Sequence, residues 1–499
     1  MARGLANNWI MMPLASLGTI FILLYVVPIV FALQSLYLWT DIFIFILMAM
    51  VFFLVSYIRS KEHLLRPWKA VFRRKMAMAS AVLLSAFILV GMLDSIHFRL
   101  PLSGQAAGPV QYSVEVSSLL DVITRDIHVN VEKTYSAPFA THLFSKESID
   151  LPGGGSRRVY PRLKYGGAHL ADPETEKQDD ILFKLFSSFW QGVVIWGVLV
   201  ALFMLVYSFR KGRKFSDIAL PILKGQTSLP LRTAGLTVLV IVLMIMFVIN
   251  AGTAYHVFGT DKVGQDVLYQ SLKSIRTGLV IGTLTTMVML PFALMMGVAA
   301  GYYQGWVDDV IQYIYTTLSS IPSVLLIAAA ILSIQVYISN HQELFGTSIE
   351  RADLRLLALC FILGITSWTS LCRLLRGEAF KLRELEYIQA AKSFGVRHVK
   401  IISRHIVPNI MHIVLIVVVL DFSGLVLAEA VLSYVGVGVD PSTDSWGNMI
   451  NGARLEMARE PMVWWSLMAA FSFMFILVLA ANLFSDAVRD AFDPHQSSA

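Results

Sequence analysis

The chain has 499 residues, of which 56% are hydrophobic and 15% charged, with a net charge of +6. Soluble domains carry about 25% charged and about 45–50% apolar residues, so a soluble enzyme, a collagen-like fibre and a disordered chain are excluded. A multi-pass membrane protein remains, in which basic residues belong to cytoplasmic loops rather than to a nucleic-acid surface.

A membrane-crossing helix needs about 20 mostly apolar residues. Ten runs qualify: Leu14–Leu33, Ile42–Ile58, Met76–Leu93, Leu185–Phe209, Gly235–Ala254, Leu279–Gly301, Val310–Leu332, Leu356–Cys372, Ile410–Leu432 and Pro461–Ser485. The fold class expected is therefore an all-α polytopic membrane protein, and no alternating pattern of a β-barrel is present. The first run is read as a retained helix, because it is long and no clean cleavage site follows. Pro291 and Pro322 fall inside spans, where proline bends a helix.

Lys and Arg concentrate in Arg59–Lys75, Arg210–Arg232 and Arg373–Arg404. With ten spans these segments share one side, which the positive-inside rule makes cytoplasmic. Both termini then lie in the cytoplasm. Residues 95–184 fall outside and read as a small extracytoplasmic domain with short strands or a helix. The organisation expected is 1–94 as three extra spans, 95–184 outside, 185–234 as an extra span with a linker, and 235–499 as a six-helix core. Cys360 and Cys372 share one apolar run, too far apart on a helix for a disulfide. The histidines show no metal-ligand spacing, so no metal site is expected.

Between the eighth and ninth spans lies Arg376–Asn409, the longest cytoplasmic loop. Leu382, Leu385 and Ile388 recur at helical spacing, Gly395 sits at a helix stop, and Val399, Ile402 and Ile406 form a second stripe closed by Pro408. Helix, glycine break and helix, flanked by positive charge, suit insertion into a cleft on a soluble partner. Two carboxylates, Asp421 and Glu429, lie in the ninth span about 80° apart on a helix, and intramembrane carboxylates face a partner or an aqueous path. Asp421 is read either as attracting cationic groups in the path or as pairing with a neighbouring helix.

The loop resembles the EAA loop of ATP-binding-cassette (ABC) importer permeases, E-A-A-x3-G-x9-I-x-L-P, with Gln389-Ala390-Ala391, Gly395 and Pro408 in register. It departs at Gln389, His405 and Val407, and the Gln removes one charge, so the resemblance carries over no salt bridge from position 389. The stretches FGTDKVGQDVL (258–268), GYYQGWVDD (301–309), SIPS (320–323), LAEAVLSYVGVGV (427–439), SWGNMI (445–450) and VRDAFDP (488–494) are similar to the C-type permeases of dipeptide, oligopeptide and nickel importers. The resemblance covers roughly half the chain. It implies a type I importer core in a bacterial inner membrane, a second homologous permease, two cytoplasmic ATPases and an extracytoplasmic substrate-binding protein.

The resemblance also implies ATPase coupling at Glu386, Gln389, Ala390, Ala391, Gly395 and Pro408; Glu429 falls in a family motif, Asp421 is particular to this chain, and both are translocation-path candidates as intramembrane carboxylates. Trp446 and Asn448 are candidates for binding-protein contact. The chain carries no G-x4-GK[ST], so it is expected to bind no cofactor and to leave ATP to its partners. Peptides are the substrate class expected. Nickel import, and an ion-coupled carrier using Asp421 or Glu429, are the alternatives. The first helix of the family core is either 76–93 or 235–254, the latter preferred because FGTD follows it.

Overall fold

A computed structural model describes residues 33–492 apart from 103–110, 151–155, 213–220, 223–224, 342 and 344–346. The expected first span, Leu14–Leu33, lies outside the described residues but for its last position. Among the described residues nine helices are long and apolar enough to cross a membrane. In chain order the helices are α1 (Trp39–Ser60), α2 (Glu62–Arg73), α3 (Lys75–Asp94), α4 (Leu119–Ile123), α5 (Arg125–Val129), α6 (Pro173–Lys211) and α7 (Leu231–Gly252). They continue with α8 (Val267–Tyr303), α9 (Trp306–Ser320), α10 (Ser323–Asn340), α11 (Ser348–Arg383), α12 (Glu386–Ser393), α13 (His398–Ile401), α14 (Val407–Val435), α15 (Trp446–Glu456) and α16 (Trp465–Phe492).

One span differs from expectation. The apolar run Val310–Leu332 is not one helix but the end of α9 and the start of α10. Ile321 is extended (φ −87°, ψ 131°), as a residue before proline prefers, and Pro322 becomes the N-cap of α10. At that position its missing N–H breaks no helical hydrogen bond. Pro322 therefore separates two helices rather than bending one. Pro291, by contrast, lies within α8. Hydropathy misplaced the span because Thr316–Ser323 is neither charged nor polar enough to interrupt an apolar window.

The chain packs as two compact units. One holds the described residues up to Glu62, Thr277–Thr443 and the residues from Val488 on; the other holds His63–Arg276 and Asp444–Ala487. In the first, α8 lies against α11 at very short range. A Cβ on Gly297 would stand 2.8 Å from the Cys372 carbonyl oxygen, and one on Gly301 would collide with the Arg376 carbonyl. Two glycines four residues apart let the backbones approach, as in small-xxx-small helix pairs of membranes. Cys360 and Cys372 are free and buried in α11.

In the second unit, the described residues of 95–172 fold onto the segment that follows α7. Short antiparallel strands pair His97–Arg99 with Ser117–Ser118 and Glu147–Asp150 with Ser156–Val159. The Glu132 carboxylate accepts the N–H groups of Lys164, Tyr165 and Gly166 at 2.7–3.1 Å. It also lies 3.6 Å from His256 Nε2, whose Nδ1 is 2.7 Å from Asp266. Nearby, Lys273 bridges Asp94 at 2.9 Å and Asp121 at 3.0 Å, and the Tyr269 hydroxyl donates to Asp121 at 2.8 Å.

Burial alone would lower the His256 pKa, but bonding to Asp266 and Glu132 overrides it and pushes it up to about 9 from 6.5. Burial alone would raise Glu132, but His256 and the backbone donors hold it down to about 2 from 4.5. A raised histidine contributes its stability in full below pH 6.5 and loses it as pH rises through about 9. A lowered carboxylate contributes above pH 4.5 and loses it as pH falls through about 2. Both contributions are complete between pH 4.5 and 6.5. The thermal midpoint of the detergent-solubilised protein should exceed that of His256→Gln most in that window, and the gap should shrink above pH 9. A gap independent of pH would remove the charge from the account.

Candidate functional site

Helix α11 does not stop where its apolar run ends at Cys372. It continues to Arg383, about 16 Å further at helical rise. Leu385 is then extended (φ −68°, ψ 139°) and starts α12, in whose exposed first turn Glu386 complements the helix dipole. Gly395 takes a left-handed conformation (φ 73°) and reverses the chain, with nothing within 4 Å of a would-be Cβ. After α13 a π-helical turn, Ile402–Ile406, leads into α14, with Pro408 in its first turn. Proline gives no N–H to the Arg404 carbonyl, and a widened turn just before it accommodates that loss.

This segment has two faces. Ile388, Ile401, Ile406 and Ile410 are essentially inaccessible, 0–1% exposed, and pack with Leu375 and Ala379 of α11. Ala391 is half-buried against the same core, and Ala390 is exposed. On the other face Phe394 is 87% exposed and Val399 72% exposed, among exposed Lys392, Arg397 and Lys400. The two stripes expected from the sequence are thus divided. Ile388 and Ile406 are anchors, Leu382 and Ile402 pack beside them, and Leu385 and Val399 face out. Phe394, the most exposed aromatic of the loop, belongs to neither stripe and was missed, because one residue at a glycine break has no periodicity.

The polar groups of the segment tie it down. Gln389 donates through Nε2 to the Arg383 carbonyl at the end of α11, 3.1 Å away. A glutamate there, as in the family pattern, could not donate to that carbonyl. The Arg376 guanidinium grips Asp308 of α9 with two bonds of 2.5 and 2.6 Å, and Gln312 donates to the same carboxylate. His398 Nδ1 and the Tyr302 hydroxyl are 2.8 Å apart. Asn409 Nδ2 reaches the Tyr387 hydroxyl at 3.2 Å and the His405 carbonyl at 2.6 Å.

The two intramembrane carboxylates have different surroundings. Glu429 is 2% exposed and accepts the Ser433 hydroxyl at 2.7 Å. Asp421 is half-buried and makes no hydrogen bond or ion pair among the described residues. In the other unit, Trp446 is 1% exposed and donates through Nε1 to the Ser271 carbonyl at 3.2 Å. Its ring is packing, and it presents no open surface. Asn448 is half-buried, and its backbone N–H is capped by Ser445. Among the described residues no three His, Cys, Asp or Glu side chains are grouped to hold a metal.

Residues 289–498 match the family model described as the binding-protein-dependent transport system inner membrane component. The oligopeptide transport system permease protein OppC of Mycobacterium tuberculosis is 30% identical over 243 residues, which are 49% of this chain and 77% of the relative. The dipeptide transport system permease protein DppC of Alkalihalophilus pseudofirmus is 33% identical over 246 residues, 49% of this chain and 74% of the relative. The glutathione transport system permease protein GsiD of Pectobacterium atrosepticum is 30% identical over 251 residues, 50% of this chain and 76% of the relative. On this likeness the chain belongs to the family of inner-membrane components of binding-protein-dependent transport systems.

Proposed function

We propose that this chain is the permease subunit of an ATP-driven ABC importer for di-/oligopeptides or peptide-like solutes. Peptides are preferred to nickel because the similar permeases carry oligopeptide, dipeptide and glutathione transport in their names. The chain works with a second homologous permease and two cytoplasmic ATPases, and an extracytoplasmic binding protein delivers the solute. The basic loops, including Arg376–Asn409, face the cytoplasm, as do both termini, in a bacterial inner membrane. The binding protein is met on the opposite face, near Asn448.

The observation that carries this reading is the two-faced loop: an apolar pair, Phe394 and Val399, standing in a ring of cations on a base locked by buried isoleucines. Such a knob fits a cleft in a soluble partner, with Glu386, Gln389, Ala390, Ala391, Gly395 and Pro408 shaping it rather than reacting. Closure of the ATPases on nucleotide displaces the knob. The buried isoleucines and the Arg376–Asp308 pair pass that displacement to α11 and α14, so the helices switch as rigid bodies.

Phe394→Asp should lower recovery of the ATPase subunit with the purified permease by about tenfold or more, the scale of losing a central interface anchor. Gly395→Pro should do the same by forbidding the left-handed turn. Undiminished recovery with both would defeat the docking assignment.

Asp421 is proposed to face the translocation path, where an unpaired carboxylate draws ammonium groups. Asp421→Asn should slow uptake of a lysine-containing tripeptide relative to a neutral one. Unchanged uptake of every cationic peptide tested would end that role.

A further inference from the structure

The break between α9 and α10 opens a notch of about 380 Å³, bounded by the two helix ends and by the middle of α11. That volume lies within the range of small-molecule sites, about 300–1,000 Å³. Its polar wall is made of hydroxyls: Ser319 and Ser320 at the end of α9, Ser323 at the start of α10, and Thr366 and Thr369 on α11. No charged residue lines it, and Arg373, which donates to the Ser319 hydroxyl at 2.7 Å, also lies over the Tyr315 ring.

These hydroxyls are not equally satisfied. Thr366 donates to the Ile362 carbonyl of its own helix, and Ser320 to the Thr317 carbonyl. Thr369 is 91% buried, judged from its 9% exposure, and meets no hydrogen-bond partner among the described residues. A threonine in a helix ordinarily bonds back to its own turn; this one points into the notch instead. Ser323 carries a hydroxyl with no partner among the described residues either. The first turn of α10 adds backbone N–H groups that no carbonyl of that helix can accept from. Thr369 lies inside a helix long and apolar enough to cross a membrane, where an unmet polar group is costly, while Ser323 stands exposed at the mouth of the notch.

We infer that the notch is a transient binding site for the main-chain amide groups of the transported solute, with Thr369 and Ser323 as its contacts. The match is chemical. A peptide unit carries one donor and one acceptor, and the notch offers hydroxyls and free N–H groups that serve both. It carries no charge of its own to select a side chain, so one site serves peptides of different sequence. The inference rests on the importer reading above and names where along α11 the solute is held.

The complete transporter, with its second permease, ATPases and binding protein in liposomes, tests this with two probes: tri-alanine, and tri-alanine methylated on its central amide nitrogen. Thr369→Val and Ser323→Ala should each slow tri-alanine uptake about three- to tenfold, the range one hydrogen bond supplies. The methylated peptide should lose less, so the ratio of the two rates falls relative to wild type. The binding protein's own preference cancels in that comparison. Equal losses for both peptides, or no loss in either variant, would overturn the site. So would reduced recovery of the second permease, which would make the notch a seat for that subunit. Absence of ATP-dependent tri-alanine uptake by the wild-type complex would instead overturn the importer reading itself.

Discussion

The rest of the unit that carries the loop depends on the burial of Ile388, Ile401, Ile406 and Ile410 beneath it. Each side chain hidden in this way contributes about 1.5–3 kcal/mol relative to exposure. That energy turns the thirty-odd residues between two spans into a fixed body. A loop of this length without an anchor would dissipate any applied push in its own bending. Anchored, it moves only if α11 and α14 move. The Gly297 and Gly301 contact then hands motion of α11 to α8, because two backbones in van der Waals contact cannot slide without displacing one another.

A second constraint sorts the polar residues of the spans. Where hydrocarbon surrounds a helix, an unmet polar group is expensive, so partners reveal purpose. Asn250 donates to Gln191 at 2.7 Å and to Ser188 at 3.0 Å, which joins α7 to α6. Trp196 donates to the Gly235 carbonyl at 2.8 Å across the same pair. Glu429 is met by Ser433. These groups hold helices together. Asp421 and Thr369 are the contrasting cases: polar, at least half-buried and unmet within the described chain. They do not join helices within the described chain as Asn250 and Trp196 do.

Much of this was legible in the sequence, and the failures have physical causes. Long apolar runs mark spans because only helices satisfy their own backbone in lipid. The run Val310–Leu332 misled because hydropathy sums side chains and ignores the backbone restriction that Pro322 imposes on Ile321. The alternation of inner and outer faces in the Arg376–Asn409 loop was half readable: spacing found Ile388 and Ile406 but could not say which apolar residues face out. The small-residue pair Gly297 and Gly301 was a signal present in the sequence and not used. The Lys273 to Asp121 pair, 152 residues apart in the chain, has no local signature at all.

That last pair bears on the half of the chain outside the family likeness. Within its unit, the described residues of 95–172 do not hang free from α3. They supply Glu132 to His256 and Asp121 to Lys273, while Ser136 donates its backbone N–H to the Thr260 side chain and its carbonyl accepts from the Thr260 backbone. His256, Thr260, Asp266 and Lys273 lie in or beside the stretch 258–268 where the family resemblance starts. Taking one member from a buried ion pair leaves the other uncompensated, at a cost of about 3–5 kcal/mol. The described part of 95–172 and the 256–273 stretch are therefore mutually dependent within their unit.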